Sequence, residues 1–315
     1  DSQFTFEMGS PYLLAHGLGR PVKPARTTVE LSGAGRWRVW VRTKDWVERW
    51  GVEGDPGRFA LRINGKALTT EFGTEGAQWG WHDGGWVDLA DPVAVLELVD
   101  LTGFDGRCDA IYFARDGEVP PPQGAPRTWR EAQLGNAPLT VKRGYDLVVV
   151  GGGYSGMGAA LSAARMGCKV ALIQDRPVLG GNGSSEIRVW SKGHIRRGNY
   201  PRIGEIVEEF ADSASKSPGA AHEFGDVHKE AVVRAEPNID LFLQHRMDGV
   251  RMSEATIASP ARIEAVEVLD IRKAARIEFH GALFCDATGH GWLAAAAGAD
   301  GTMTPEGRMG MSNMW

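Results

Sequence analysis

The stretch YDLVVVGGGYSGMGAALSAARMGCKVALI occupies residues 145–173 and decides the fold of the second half of the chain. Its first six residues form an apolar, valine-rich run, which is typical of a strand buried on both faces of a parallel sheet. Residues 155–167 are rich in alanine and other small residues, as in a helix packed closely on a sheet, and residues 169–173 predict a second strand. The stretch therefore predicts a βαβ unit of an α/β, Rossmann-like domain with three layers and a parallel central sheet.

Three glycines in this unit, Gly151, Gly153 and Gly156, have the spacing GxGxxG and lie between the predicted strand and the predicted helix. The first glycine permits a tight turn, the second lets the backbone approach a pyrophosphate, and the third lets the helix pack closely on the strand. The start of the helix also presents unpaired N–H groups and the positive end of its dipole to phosphates. In this context the spacing predicts a dinucleotide site.

The end of the second strand in such units usually carries an acidic residue that binds the ribose, about 20 positions after the first glycine. Here Gln174 stands at that place and Asp175 follows it. A glutamine accepts a hydrogen bond through its amide oxygen and has no charge to repel a phosphate. Either Gln174 binds the ribose or Asp175 does so from the next position, and the glycine pattern alone does not choose between a nicotinamide and a flavin dinucleotide.

Two further stretches select the flavin. VLGGNGSSEIRVW at residues 178–190 and FCDATGHGWLAAAAGAD at residues 284–300 resemble segments of the FAD-dependent oxidoreductases of the two-dinucleotide-binding type. In that family the first segment runs along the pyrophosphate and ribityl chain, and the second backs onto the phosphates. The resemblance covers residues 144–315 and implies FAD as the cofactor. The residues that it implies as FAD contacts are Gly151, Gly153, Gly156, Gln174, Asp175, Arg176, Gly180, Gly181, Asn182, Gly183, Ala287, Thr288 and Gly289.

Residues 184–200, with the sequence SSEIRVWSKGHIRRGNY, directly follow the predicted flavin-binding glycines and supply the candidates for catalysis. Glu186 and His194 are candidate proton acceptors, His194 because the unperturbed pKa of histidine is about 6.5. Arg188 belongs to a group of basic residues that favours an anionic or polyhydroxylated substrate, or that stabilises the reduced, anionic flavin. A solvated basic loop with a structural histidine is the alternative interpretation.

The first part of the chain follows a different pattern, because short segments there alternate apolar and polar residues between Asn-Gly, Gly-Gly and Asp-Gly pairs. The segments predicted as strands are residues 36–43, 58–65, 85–90, 94–102 and 109–116. This part resembles galactose-binding-like jelly-roll modules, which implies an all-β sandwich over residues 1–117. The proline-rich residues 118–143 predict a linker on the surface. Residues 144–315 form the predicted FAD-binding domain, in which residues 203–214 and 225–236 have helical spacing and residues 239–247, 261–271, 275–280 and 282–289 are predicted strands.

The motif WGWHDGGW at residues 79–86 places Trp79 and Trp81 on one face of a predicted strand. The flat face of a tryptophan ring packs well against the C–H face of a sugar ring, so the motif indicates a carbohydrate site. The alternative is that these rings belong to the core of the sandwich or to its contact with the other domain.

The composition restricts the classes of partner. The chain has 315 residues with 35 basic and 40 acidic side chains and a formal net charge of -5, without a long like-charged run, so we expect no nucleic-acid partner. No apolar stretch approaches the roughly 20 residues of a membrane span, so we expect a soluble protein without a membrane partner. Cys108, Cys168 and Cys285 are widely spaced, so we expect neither a disulfide framework nor a metal site. Localisation stays open.

These features together predict an FAD-dependent oxidoreductase that acts on a polyhydroxylated small molecule. The favoured substrate class is a carbohydrate, namely a sugar or glycoside. Two alternatives stay open: a lyase or glycosidase that uses flavin and nicotinamide in an internal redox cycle, and a carbohydrate-binding module on a non-catalytic flavin fold. The resemblance also implies a discontinuous FAD domain that a later segment of the chain completes, and because the sequence stops soon after CDATG, we expect a C-terminal segment or a second chain to complete the FAD site.

Overall fold

The computed structural model describes residues 2–5, 7–17, 19–118, 124, 126–134, 139–191, 196–217, 219–255, 260–273 and 275–302. The chain divides into two compact units, residues 1–136 and residues 137–314. Among the described residues, no helix is both long enough and apolar enough to span a membrane.

In its described residues, the first unit forms β-strands, one α-helix and one short 3-10 helix, Glu48–Trp50. Its described strands pair in antiparallel fashion and form three sheets with the orders β1-β2-β9, β10-β4-β7 and β3-β8-β5-β6. Each of the five predicted segments contains a strand. The strands are β1 Ser2–Thr5, β2 Ser10–His16, β3 Ala25–Glu30, β4 Gly35–Thr43, β5 Phe59–Ile63, β6 Lys66–Phe72, β7 Gly80–Leu89, β8 Val93–Asp100, β9 Phe104–Cys108 and β10 Ala110–Ala114.

One apolar core lies between the β10-β4-β7 sheet and the β3-β8-β5-β6 sheet of this unit. Val39 and Val41 on β4 and Leu61 on β5 are fully buried in it, and the residues between them on each strand are more exposed. This is the alternation expected of strands with one face on a core. The guanidinium of Arg42 forms an ion pair with Asp109, and both side chains are buried. The unit is therefore all-β, and its assignment as a galactose-binding-like jelly-roll sandwich stays a prediction.

A helix, α1 Pro126–Leu134, lies within the segment that we expected to be a linker. The proline is at the first helical position, where its missing N–H is not needed, so it starts the helix and does not break it. The ring of Trp129 on α1 packs edge-on against Trp81 and Tyr112, with centroids 5.6 and 4.9 Å apart. The helix therefore packs on the β10-β4-β7 sheet, and Trp81 is part of that contact.

The second unit is built on one six-stranded sheet with the order β13-β12-β11-β16-β15-β14. The first four strands in this order are parallel, and β16, β15 and β14 pair antiparallel, so the predicted parallel sheet is in fact mixed. The strands are β11 Leu139–Val150, β12 Val170–Gln174, β13 Ile239–Leu243, β14 His245–Met252, β15 Ile263–Asp270 and β16 Ala275–Asp286. The helices are α2 Tyr154–Arg165, α3 Glu205–Glu208, α4 Asp226–Arg234 and α5 Trp292–Ala296.

Apolar cores cover both faces of this sheet. Val149 points to the face that α2 covers with Met157 and Leu161, all of them fully buried. Its neighbours on β11, Val148 and Val150, belong to the core on the opposite face, which includes Leu293 of α5. Because successive residues of a strand point to opposite faces, β11 is buried on both sides, as its valine run predicts. Helices on both faces give the predicted three layers.

Several predicted boundaries differ from the structure. The predicted strand 239–247 is divided into β13 and β14 by Gln244, which has a φ of 57°. The predicted strands 275–280 and 282–289 are one strand, β16. A Cβ at Gly281 would lie 2.8 Å from Cγ2 of Val148, so this glycine permits close packing and does not interrupt the strand. The predicted helix 203–214 is reduced to α3; after it the N–H of Phe210 donates to the carbonyl of Val207, and the carboxylate of Asp212 accepts the N–H of Ala214 in a local turn.

Candidate functional site

The candidate site lies at the carboxyl ends of three neighbouring parallel strands, β12, β11 and β16. In the register of the sheet, Val150 at the end of β11 is opposite Ile173 on β12 and Asp286 on β16. The glycine turn follows Val150, and the other two predicted cofactor segments follow β12 and β16. Because ligands of open α/β sheets bind outside the carboxyl ends of the strands, this edge is where a dinucleotide is expected.

The glycine turn brings the end of β11, the start of α2 and the residues after β16 into close contact. Gly151 has a φ of 107°, and a Cβ on it would overlap the carbonyl of Ala287. A Cβ on Gly156 would overlap the carbonyl of Gly151, so this glycine lets α2 approach the end of β11. The space beside Gly153 is open by contrast, because a Cβ there would be 4.0 Å from the nearest atom, Cα of Gly181.

The N-terminus of α2 opens into this space. Within the part of the chain that the structure describes, no side chain caps α2, and its first turn has no acidic residue. The first N–H groups of a helix have no partners within the helix, and the positive end of the dipole lies there. This combination is suited to binding phosphate oxygens.

The second predicted segment lies against the first. Gly180 forms a parallel bridge with Gly153, and the N–H of Gly180 donates to the carbonyl of Gly152 at 2.8 Å. The hydroxyl of Ser184 donates to the carbonyl of Gly181 at 2.7 Å, which closes a short turn over residues 181–183. The predicted contacts of the two glycine segments are therefore adjacent in space, and Asn182 between them is exposed.

The third predicted segment, residues 286–289, is held by the carboxylate of Asp286. One oxygen accepts hydrogen bonds from the N–H and hydroxyl of Thr288 at 3.0 and 2.7 Å, and the other accepts the N–H of Ala294 at 2.9 Å. Burial alone would raise the pKa of Asp286, but these hydrogen bonds outweigh burial and the net pKa is below its usual value. The N–H of Ala287 donates to Val150, which fixes the turn beside β11.

Gln174 has a role that the sequence did not predict. It is 4% exposed, its amide oxygen accepts the N–H of Gly152 at 2.8 Å, and its amide nitrogen donates to the carbonyl of Val178 at 3.0 Å. The side chain thus ties the first glycine turn to the start of the second. Asp175 has a more accessible carboxylate, 44% exposed, with Nη1 of Arg246 3.6 Å away. Which of the two contacts the ribose stays a prediction, and only Asp175 has an oxygen that faces solvent.

The predicted catalytic residues are only partly brought together. Nη1 of Arg176, which we expected at the FAD, is 3.5 Å from a carboxylate oxygen of Glu186. Burial raises the pKa of Glu186, and the charge of Arg176 offsets part of this effect. Arg188 has a φ of 57° and donates from Nε to the carbonyl of Ser185 at 2.9 Å, so its side chain turns back on its own loop. His194 lies outside the described residues.

The predicted basic loop is partly neutralised by nearby acids. The guanidinium of Arg196 forms ion pairs with Glu205 at 2.9 Å and Glu208 at 2.7 Å, both on α3. In the described portion of the chain, no group of three or more His, Cys, Asp or Glu side chains is arranged to hold a metal ion.

A buried polar cluster lies against residues 180–183, the second glycine segment, and was not predicted. Lys229 on α4 is completely buried, its Nζ donates to the carbonyl of Phe224, and it is 3.7 Å from the buried carboxylate of Asp212. The hydroxyl of Tyr154, the first residue of α2, donates to the same carboxylate. Lys229 belongs to a segment with helical spacing, and nothing in that pattern indicates that a lysine there is buried. We call Tyr154, Asp212, Asp226 and Lys229 the buried lysine cluster.

Comparisons with known proteins agree with the geometry of this edge. The model of the family described as FAD dependent oxidoreductase matches residues 146–314. The soluble pyridine nucleotide transhydrogenase of Marinobacter nauticus is 55% identical over 38 residues, which are 12% of this chain and 8% of that protein. The fumarate reductase (cytochrome) of Shewanella frigidimarina is 49% identical over 53 residues, which are 17% and 9% of the two chains. This chain thus spans less than a tenth of the length of these relatives.

Among solved structures, THI4 of Thermovibrio ammonificans is 21% identical with a TM-score of 0.35, covering 48% of this chain and 60% of that one. A family 35 carbohydrate-binding module from an environmental isolate is 15% identical with a TM-score of 0.28, covering 37% of this chain and 82% of that one. At these TM-scores, neither structure bears on the fold or the function of this chain.

The residues at the sheet edge fit an FAD pyrophosphate. They offer an uncapped helix N-terminus, an open space beside Gly153, and a second glycine segment within backbone contact of the first. The family match covers more than half of the chain and includes all three segments of the site. The chain belongs to the FAD-dependent oxidoreductase family, and its cofactor is FAD.

Proposed function

We propose that this protein oxidises or reduces a polyhydroxylated small molecule, such as a sugar or glycoside, with FAD as the redox cofactor. The observation that carries the redox part of the proposal is the convergence of residues 151–156, 180–183 and 286–289 at one edge of the sheet. FAD supplies the two-electron chemistry when it is bound. The residues of this chain then have to bind the cofactor, orient the substrate and accept a proton.

The start of α2 and the glycines beside it are the proposed pyrophosphate site. The N–H groups of the first turn of α2 point out of the helix end and have no acidic neighbour in that turn. Gly153 and Gly181 lack side chains that would fill the space in front of them. Asp175 is the proposed ribose ligand, because ribose hydroxyls donate to a carboxylate and this one is accessible.

Glu186 is the proposed proton acceptor for oxidation of a substrate hydroxyl. Losing the O–H proton is part of any conversion of an alcohol to a carbonyl, so a base has to be within reach. Burial raises the pKa of Glu186, which makes its carboxylate a stronger base than a glutamate of ordinary pKa. The positive charge of Arg176, whose Nη1 is 3.5 Å from the carboxylate, favours the ionised form and offsets part of this rise in the pKa. His194 is the alternative base.

The proposed substrate class rests on the tryptophans of the first unit and on the basic residues near Glu186. Trp79 packs against Tyr12 with ring centroids 4.9 Å apart, and Trp81 packs against α1, which favours a packing role for these two rings. Trp50 and Trp86 are exposed, at 55% and 38%, and each has a guanidinium over one face, that of Arg49 at 3.8 Å and that of Arg36 at 4.7 Å, so the opposite faces are the ones proposed to hold a sugar. A flat, exposed aromatic face is the feature by which proteins hold the C–H face of a pyranose.

The proposal is tested by mixing the FAD-loaded protein with a panel of sugars and glycosides without oxygen and following the absorbance of oxidised flavin. We expect bleaching by at least one member of the panel, and we expect Glu186→Gln to slow it by about 10²- to 10⁴-fold without loss of FAD. Bleaching by dicarboxylic acids or by NADH, but by no sugar, would refute the substrate class. A protein that binds sugars but whose flavin nothing bleaches would favour the non-catalytic alternative.

A further inference from the structure

The buried lysine cluster touches the second glycine segment at several points. The stem of Lys229 lies against Gly180, since a Cβ on that glycine would be 3.1 Å from Cδ of the lysine. The ring and hydroxyl of Tyr154 lie against Gly183, where a Cβ would be 2.7 Å from the hydroxyl oxygen. The segment containing both glycines therefore rests on the cluster, and neither position has room for a side chain.

The cluster also holds the residues that follow this segment. The N–H of Ser185 donates to the carboxylate of Asp226 at 3.0 Å, and the hydroxyl of Ser191 donates to that of Tyr154 at 2.7 Å. Because Tyr154 begins α2, the same side chain contacts the helix end proposed for the pyrophosphate and the segment proposed to run beside it. The cluster thus sets the distance between the start of α2 and residues 180–183, the two proposed parts of the pyrophosphate site.

The charges of the cluster have to balance for this site to accept an anion. The carboxylate of Asp212 is 3% exposed, and it accepts the hydroxyl proton of Tyr154 at the start of α2. A buried negative charge beside a pyrophosphate would repel it, because such charges are poorly screened in the interior. Lys229 is the cation that faces Asp212, at 3.7 Å. Burial lowers the pKa of Lys229, and Asp212 offsets part of that effect, so the two groups depend on each other.

We propose that Lys229 is a positioning residue for FAD, which neutralises Asp212 and supports Gly180 so that the cofactor pyrophosphate can lie between α2 and residues 180–183. The proposal rests on the proposed cofactor site. It assigns Lys229 no contact with the reacting atoms, because the residue is completely buried under the segment.

The test is FAD affinity of the intact chain, measured by quenching of flavin fluorescence. Methionine has a similar length and no charge, so Lys229→Met keeps the packing against Gly180 and leaves Asp212 without its cation. We expect FAD to bind this variant about 10- to 100-fold more weakly than it binds the unchanged protein. Lys273→Met, at an exposed lysine of the same unit, is the matched control and should bind FAD as the unchanged protein does.

The partner variant separates charge balance from a merely structural role. Asp212→Asn still accepts the hydrogen bond of Tyr154 but removes the negative charge, so we expect FAD affinity equal to or tighter than that of the unchanged protein. The double variant Lys229→Met/Asp212→Asn should recover most of the lost affinity. If Lys229 were only structural, both single variants would bind FAD more weakly and the double variant would be no better than Lys229→Met.

The outcomes distinguish this inference from the proposed function. An unchanged protein that binds FAD, together with a Lys229→Met variant that binds it equally well, overturns the role of Lys229 and leaves the cofactor site intact. An unchanged protein that binds no FAD overturns both. Circular dichroism of each variant without FAD reports whether the fold is retained. If Lys229→Met does not fold, the affinity of Asp212→Asn decides, and weaker binding by that variant overturns the inference.

Discussion

At Gln174, one side chain joins two parts of the cofactor site. The usual acidic residue at this place binds a ribose directly, whereas the amide of Gln174 offers both an acceptor and a donor and uses them on Gly152 and Val178. A carboxylate could accept the N–H of Gly152, but it could not donate to the carbonyl of Val178. The amide is therefore suited to joining these two backbone groups, and Asp175 is the ribose ligand that we propose.

We predict that Gln174→Leu destabilises the fold by about 1–3 kcal/mol, because the buried N–H of Gly152 and the carbonyl of Val178 lose their partner. Asp175→Asn should destabilise the fold less than Gln174→Leu does, since the side chain of Asp175 is 44% exposed and is 3.6 Å from Arg246, and it should weaken FAD binding. Denaturant unfolding and FAD titration of the two variants measure both effects. Equal stability of Gln174→Leu and the unchanged protein would contradict this account of Gln174.

Asp286 gives a prediction about pH. Hydrogen bonds in the fold keep its pKa below the value of an unfolded aspartate, so the ionised form stabilises the folded state. That stability is present above the unfolded pKa of about 4 and is lost as the pH falls through the lower pKa of the folded state. We expect Asp286→Asn to be less stable than the unchanged protein at pH 7, and the difference to shrink in acid. Unfolding curves from pH 7 to about pH 3 test this, and a difference that grows in acid would contradict it.

Among the elements, the βαβ unit over residues 145–174 could be predicted almost completely. Its signals are local: a valine run for β11, small residues for α2, and glycines between them. The helix α1 was missed because Pro126 was treated as a helix breaker, whereas a proline at the first helical position starts a helix. The continuous strand β16 was missed because Gly281 makes room for Val148 within the strand. That second case depends on a neighbour that is distant in sequence.

The contact between α2 and β11 gives a prediction at this scale. Gly156→Ala should abolish FAD binding and destabilise the fold, because the added methyl group would overlap the carbonyl of Gly151. Gly158→Ala is a matched control in the same helix, where the nearest atom to an added Cβ is Cγ2 of Ile206 at 3.8 Å. The control should stabilise the protein by about 0.5–1 kcal/mol, since alanine favours helix over glycine. Thermal unfolding and FAD titration measure both. Equal FAD affinity of the two variants would contradict the close-contact role of Gly156.

For the whole molecule, the sequence predicted three segments for the cofactor site, and the structure places them side by side at the ends of β12, β11 and β16. The sequence did not predict what holds them together. Glycine spacing and the CDATG segment carry a signal because a pyrophosphate needs close backbone approach. Lys229 and Arg246 carry none, because a lysine or arginine in a sequence is expected to be exposed, and only the fold shows that these two are buried. The substrate class also depends on side chains brought together by the fold, so it stays a proposal.

The central claim is that the second unit binds FAD at the edge formed by β12, β11 and β16. Titration of the purified protein with FAD, NAD and NADP, each followed by protein fluorescence, tests it most directly. The account predicts saturable binding of one FAD per chain, lost in Gly156→Ala and kept in Gly158→Ala, with no competition from either nicotinamide dinucleotide. A protein that binds NAD or NADP at this site and no FAD would contradict it.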